Sequence, residues 1–397
     1  LPSRNAPALL LLSALALTAC ASPAPAAPAA DTEPHGYVEG AAEATEPQLT
    51  LATVDDTGSL ALLDLVEGGS VDIAELEGVT AVSTDGRYVF ASAPGDVTIV
   101  DTGVWAVDHE DHAHYYRAEP AVVGTVEGKG EAVVSGGGSV TVVSFTASGE
   151  GILLDRDALD SGEVDEVARV DGELFVPTGD AVLAAAGDEI VAYDASGAPI
   201  DGGAPCTDPA GTITTRVGVV FGCADGAVLV TGPADALEFE LVPYPEAVAP
   251  ADRATGFSSR PGRPTVAAVA GSSGAWLLDT RERTWTRLAT EMALLRVSAA
   301  DDRDGNVVAL AADGRVVVLD PLGGTTVAAT APLLAATVAD PALLAGVELA
   351  VDANRAYVNA PAEGVVVEID YADGARVARE FPAPGAPLFL VQTGGLS

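Results

Sequence analysis

Lysine is almost missing from this chain: Lys129 is the only one in 397 residues, and Lys and Arg together number 19 against 58 Asp and Glu. The formal net charge of −39 repels phosphate backbones and anionic lipid surfaces, which excludes nucleic acid as a partner. Aromatic residues make up 5% and Met occurs once, so the core has to be assembled from Val, Leu, Ile and Ala. No G-x-S-x-G is present, and beyond the N-terminus no apolar run is long enough to span a bilayer. Histidine occurs four times and Cys three times. The positions of those seven residues carry most of the functional information.

The N-terminus reads "LPSRNAPALLLLSALALTAC". Arg4 supplies a short basic region, and Ala8 to Leu17 is an apolar run broken only by Ser13. That run is too short for a membrane span and fits the core of a signal peptide. It stops at "LTAC", the pattern of a bacterial lipobox, in which Cys20 is lipidated and becomes the mature N-terminus. An ordinary secretory peptide is the alternative. The Pro/Ala stretch that follows cannot bury a core and reads as an extended tether. The expected organisation is a lipoprotein signal peptide over 1–19, a tether over 20–47 and a folded domain over 48–397. The expected location is outside the cytoplasm, lipid-anchored to the outer face of the cell membrane. Cys206 and Cys223 then form an even pair in an exported protein, most simply a disulfide, with thiolate metal ligation as the alternative.

From Gln48 onward, short runs rich in Val, Leu and Ile alternate with Gly and Asp-Gly turns, a strand-and-hairpin texture. A hydrophobic run ending in an acid returns as "SLALLDL" (59–65), "DVTIVDT" (96–102), "EIVAYDA" (189–195), "AWLLDTR" (275–281), "RVVVLDP" (315–321) and "VVVEIDY" (365–371). Degenerate equivalents lie at "SVTVVSF" (139–145) and "AVLVTGP" (227–233). Units about 41 residues long, with some four strands each, are the signature of a β-propeller. The predicted fold is all-β, a single propeller of eight blades. Seven blades is the alternative, should the first and last units combine into one closing blade. Two stacked β-sandwiches would not space the acidic run ends so evenly.

Three of the four histidines fall within "DHEDHAHYYR" (108–117). His109, His112 and His114 are offset by three and two, so neither a helix nor a strand brings all three to one side. A loop has to do it, and the strand-like runs on either side predict an enlarged hairpin projecting from one face of the ring. Neutral imidazole suits zinc and similar divalent ions, and Asp108, Glu110 or Asp111 can supply a further ligand or orient a ring N–H. Tyr115, Tyr116 and Arg117 are placed to wall the site and secure its end. His35, in "DTEPHGYVEG" (31–40), is a candidate accessory ligand on a mobile arm. The alternative is a solvated acidic loop with no specific metal.

Together, "HGYVEGAAEATEPQLTLATVDD" (35–56), "VDHEDHAHYYRAEPAVVGTVEG" (107–128) and "VVFGCADGAVLV" (219–230) resemble the bacterial periplasmic zinc metallochaperones of the AztD type. The resemblance implies an eight-bladed propeller that captures Zn(II) outside the cytoplasm. It also implies handover to a partner, the solute-binding protein of a zinc ABC transporter. Family members carry further histidines after the equivalent of "GTVEG", and one between the cysteines. Here "GKGEAVVSGGGSV" (128–140) and "CTDPAGTITTRVGVVFGC" (206–223) have none. Carry-over is therefore restricted to His109, His112 and His114, with Asp108 and Asp111 as helpers.

These observations favour a monomeric, non-catalytic zinc carrier. A lipid-anchored interaction scaffold without specific metal is the next reading. A metal-dependent hydrolase ranks third, since Glu110 can be written as a base but nothing specifies a substrate pocket.

Overall fold

A computed structural model describes residues 36–108, 112–272, 274–383 and 385–395. The signal peptide, Cys20, His35, His109, Glu110 and Asp111 lie outside the described residues. The chain divides into two units, Leu1–Tyr37 and Val38–Ser397, and every described strand belongs to the second.

Eight antiparallel four-stranded sheets succeed one another along the chain, each wound from an inner to an outer strand. They are the blades of an eight-bladed propeller. The third strand of each blade is a run such as Asp96–Asp101 or Val365–Asp370, buried through its middle on both faces. Such strands read as continuous apolar runs because each blade is sandwiched between two others. Outer strands face water on one side; Ser70–Glu75 has no fully buried residue.

The contacts between neighbouring blades hold the ring together. Between blades 2 and 3, Tyr88, Phe90 and Ile99 pack on Val143, Phe145 and Leu154. Between blades 7 and 8, Val308, Leu310 and Val318 pack on Val358, Val367 and Ile369. Each fully buried side chain of this size contributes about 1.5–3 kcal/mol of hydrophobic free energy. Closure is made by a strand from the far end of the chain. Pro387–Thr393 pairs with Thr50–Asp55 as the inner strand of blade 1, and the Thr50 and Thr393 hydroxyls meet at 2.7 Å. The first and last segments do share one blade, yet eight blades remain.

The acid that ends the repeated run is a turn-former. Asp64 Oδ1 accepts the N–H groups of Val66 and Glu67, Asp194 Oδ1 those of Ser196 and Ala198, and Asp320 Oδ1 those of Leu322 and Gly323. A short carboxylate satisfies the donors that a tight turn leaves unpaired. The run at 139–145 proves to be the second strand of blade 3, Val140–Phe145. The matching third strand is Glu150–Asp155, whose final Asp155 caps helix Arg156–Asp160 through the Ala158 N–H. Two equally hydrophobic neighbours pair there along their full lengths, so hydrophobicity alone cannot set the phase.

Cys206, in the connection between the outer strand of blade 4 (Pro199–Pro205) and the first strand of blade 5 (Thr212–Thr214), forms a disulfide with Cys223 at the end of the second strand of blade 5, and both are buried. Among the described residues no helix is long and apolar enough to cross a membrane.

Candidate metal centre

Blade 2 departs from the simple pattern. Between its third strand, Asp96–Asp101, and its outer strand, Ala121–Glu127, a hairpin of Val104–Asp108 and Ala113–Arg117 is inserted. Ala42–Ala44, inside the stretch whose composition suggests a tether, adds a third strand along the outer edge of this hairpin. Gly103 sets the departure angle. Its φ is +71°, and a Cβ there would lie 2.3 Å from the Ala118 carbonyl oxygen. Asp101 Oδ1 accepts the Gly103 N–H, and the Ala118 N–H donates back to Gly103 O. Arg117, at the end of the strand that pairs with Ala42–Ala44, reaches Asp64 of blade 1 at 2.9 Å.

Strand alternation assigns the side chains to faces. The register pairs Trp105 with Tyr116 and Val107 with His114, so these four share one face. Asp108 pairs with Ala113, on the alternate set of positions. A ladder of rings runs along the first face. The Arg87 guanidinium lies 4.1 Å from the centre of Trp105, which stacks on Tyr116 at 5.1 Å. Tyr116 stacks on His114 at 6.2 Å, and His114 meets His112 edge-on at 4.9 Å. Arg87 is itself anchored by Asp101 and Asp160 at 2.7 and 3.1 Å, so the ladder is rooted in blades 2 and 3. Trp105, Tyr116 and His114 are buried, which leaves them little rotamer freedom.

The ladder ends in two converging imidazoles. His112 Nε2 and His114 Nε2 are 3.0 Å apart. Two nitrogens bound to one tetrahedral zinc lie about 3.3 Å apart, so a few tenths of an ångström separates this arrangement from a chelating pair. The other nitrogen of His114, Nδ1, is 2.6 Å from Glu43 Oε1. An ionised carboxylate only accepts, so in the neutral ring Nδ1 carries the proton and Nε2 keeps its lone pair. This carboxylate–imidazole relay is the arrangement that orients metal-bound histidines. Burial first, and then the charge of Glu43, pushes the Tyr116 hydroxyl above its ordinary pKa, which keeps that ring neutral beneath His114.

His112 and His114 are therefore brought together. His109 and Asp111 lie outside the described residues, and among those described no group of three or more His, Cys, Asp or Glu side chains is placed to hold an ion. Sequence reasoning missed Glu43, Trp105 and Arg87. Glu43 is 71 positions from His114 in a segment of tether-like composition, and no local spacing points to it.

A cavity of about 350 Å³ lies beneath the ladder, walled by Arg87, Trp105, Val107, Arg156 and Asp160. It shares Asp85, Gly86, Gly137 and Gly138 with a second cavity of about 460 Å³ built on the inner strands of several blades. In every blade the turn after the first strand and the one after the third emerge on the same face. The hairpin consequently stands on the same face as the inner-strand turns that line the larger cavity.

Comparison with solved structures gives AztD from Citrobacter koseri at a TM-score of 0.70 and 18% identity, covering 88% of this chain and 98% of that one. The apo form of the same protein matches with a TM-score of 0.70, 16% identity and 88% and 99% coverage. Sqt1 from Chaetomium thermophilum, bound to the N-terminus of ribosomal protein L10, matches at 0.51 and 14% identity, covering 87% and 93%. No family model and no curated relative matches the sequence. At these identities the likeness concerns architecture, and it extends over almost the full length of the AztD chains: this chain, whose own second blade carries a histidine-bearing insert, has the AztD fold.

Proposed function

We propose that this protein is an exported, non-catalytic zinc carrier. It captures Zn(II) at the hairpin and passes it to the solute-binding protein of a zinc ABC transporter. One observation carries the reading: two imidazole nitrogens converge to 3.0 Å on a rigid ladder, with a carboxylate fixing the tautomer of one ring. His112 and His114 would supply two ligands, and His109 and Asp111, adjacent in sequence, the remainder. His35 would be an accessory. The AztD fold supports the same reading. Zinc is the cargo, and a site on an insert lets a partner reach the ligands one by one without opening a blade.

The Cys206–Cys223 disulfide accords with an oxidising compartment, and Cys20 would anchor the mature chain to the membrane. Ligands bind metal only when deprotonated, so zinc should be held at neutral pH and released as protons compete for the imidazoles.

The test is metal analysis of the mature protein purified without chelator. About one zinc per chain is expected. Replacing His109, His112 and His114 together by Ala should remove it while β-sheet circular dichroism is unchanged. Zinc retained by that triple variant would place the site elsewhere. A wild-type protein that takes up no zinc would leave the interaction-scaffold reading in its place.

A further inference from the structure

We infer that Glu43 is the positioning residue of the metal centre, and that the strand carrying it, Ala42–Ala44, is a clasp whose detachment releases the ion. The inference rests on the reading of His112 and His114 as ligands.

Three observations point to it. First, Glu43 Oε1 sits 2.6 Å from His114 Nδ1, the atom that is not facing His112. Holding the proton on Nδ1 makes Nε2 the donor atom, fixes the ring plane and raises the ligand's basicity. Second, the contact arises from strand register. Glu43 is opposite Tyr116, and His114 is the diagonal neighbour two residues away on the same face. Side chain and clasp are therefore one unit, and peeling the strand must take the carboxylate with it. Third, the strand is slight. It makes three register pairs with the hairpin, against five between the two hairpin strands themselves. It lies at the sheet edge, Ala42 and Glu43 are exposed, and it precedes the first blade strand, Thr50–Asp55. No inter-blade contact has to break for it to leave. Edge segments with few buried contacts open at low free-energy cost. A docking partner that pairs with the same hairpin edge would displace it by strand addition.

The chemistry orders the variants. Glu43→Gln can still accept the Nδ1 proton but without charge, and Glu43→Ala offers no acceptor. Zinc release to a chromogenic chelator should quicken by about 10–100-fold in Glu43→Ala, with Glu43→Gln between it and wild type. In metal-free protein, nitrogen-15 NMR of His114 should show the Nδ1–H tautomer in wild type and a tautomer mixture in Glu43→Ala. A purely structural role for the strand would leave that signature unmoved.

The clasp itself is tested with Ala44→Cys/Tyr115→Cys, which are register partners. Partners across an antiparallel pair are close enough for a disulfide. The cross-linked protein should release zinc at least about tenfold more slowly than the Tyr115→Cys single variant. Equal release rates would overturn the clasp. Wild-type release and tautomer in both Glu43 variants, in a protein whose His112→Ala/His114→Ala form loses zinc, would overturn the positioning role alone. Zinc retained by that double variant would overturn this inference and the proposed site together.

Discussion

Blade 2 contains both kinds of structure found in this protein, and they are built differently. Its own strands are buried throughout in Tyr88–Ala93 and at Val97, Ile99 and Val100 in Asp96–Asp101, and they pack into clusters shared with blades 1 and 3. The hairpin inserted between its third and outer strands belongs to no such cluster. It is held by one stacked ladder on Arg87, by an Arg117–Asp64 ion pair and by a three-residue edge strand. The blades gain their free energy from buried apolar area, which is insensitive to chemical detail. The insert is held by a few directional contacts that end on the His114 and His112 imidazoles. The ring's stability and the geometry of the two imidazoles thereby rest on different contacts, so the insert can change shape without cost to the ring.

That separation can be broken from either side. Phe90→Ala, in the blade, should lower unfolding free energy by about 3–5 kcal/mol in a denaturant titration, while zinc stoichiometry at low denaturant stays unchanged. A loss of zinc together with stability would show that the two regions unfold as one. Trp105→Ala, in the insert, should do the reverse. It removes the middle of the ladder, and zinc release should quicken roughly tenfold, a change of about 1.4 kcal/mol. The denaturation midpoint should stay close to wild type, because Trp105 belongs to neither of the apolar clusters that join blade 2 to its neighbours.

The smallest effect concerns the seam between the regions. Burial alone would push the Asp64 carboxyl up. The N–H groups of Glu67 and Val66 and the Arg117 guanidinium outweigh it and hold the pKa below the ordinary value. A carboxylate depressed in the folded state stabilises the fold above its unfolded pKa, near 4, and that contribution fades as pH falls through the lower folded value. Asp64→Asn should therefore cost less than about 1 kcal/mol at neutral pH, and the difference from wild type should close in acid. A difference that grows on acidification would mean that the ion pair does not set this titration.

The ring is legible in the sequence because its signals are local. Seven of the eight blades repeat a run of β-branched and aliphatic residues that closes on an acid, blade 5 ending instead on Thr231, and both the strand and its cap are encoded within a dozen residues. Even a closing blade shared by the two ends is among the options that the repeat leaves open. Where the phase slips, at 139–145, two adjacent strands are equally apolar and composition cannot rank them. The histidine hairpin is legible for a similar reason, since its candidate ligands lie within six positions.

The residues that orient those ligands are not legible. Glu43 and Arg87 come from segments whose local sequence suggests a tether and an ordinary Asp-Gly turn, and they meet the hairpin only after non-local strands have paired. By itself the amino-acid order determined an acidic, turn-punctuated ring of repeated strands and a cluster of imidazoles between two of them. Tertiary structure alone decided which nitrogen of His114 meets a carboxylate and which faces His112, because that carboxylate is delivered across a sheet edge from 71 residues away. Periodicity carries no information about contacts between segments so far apart.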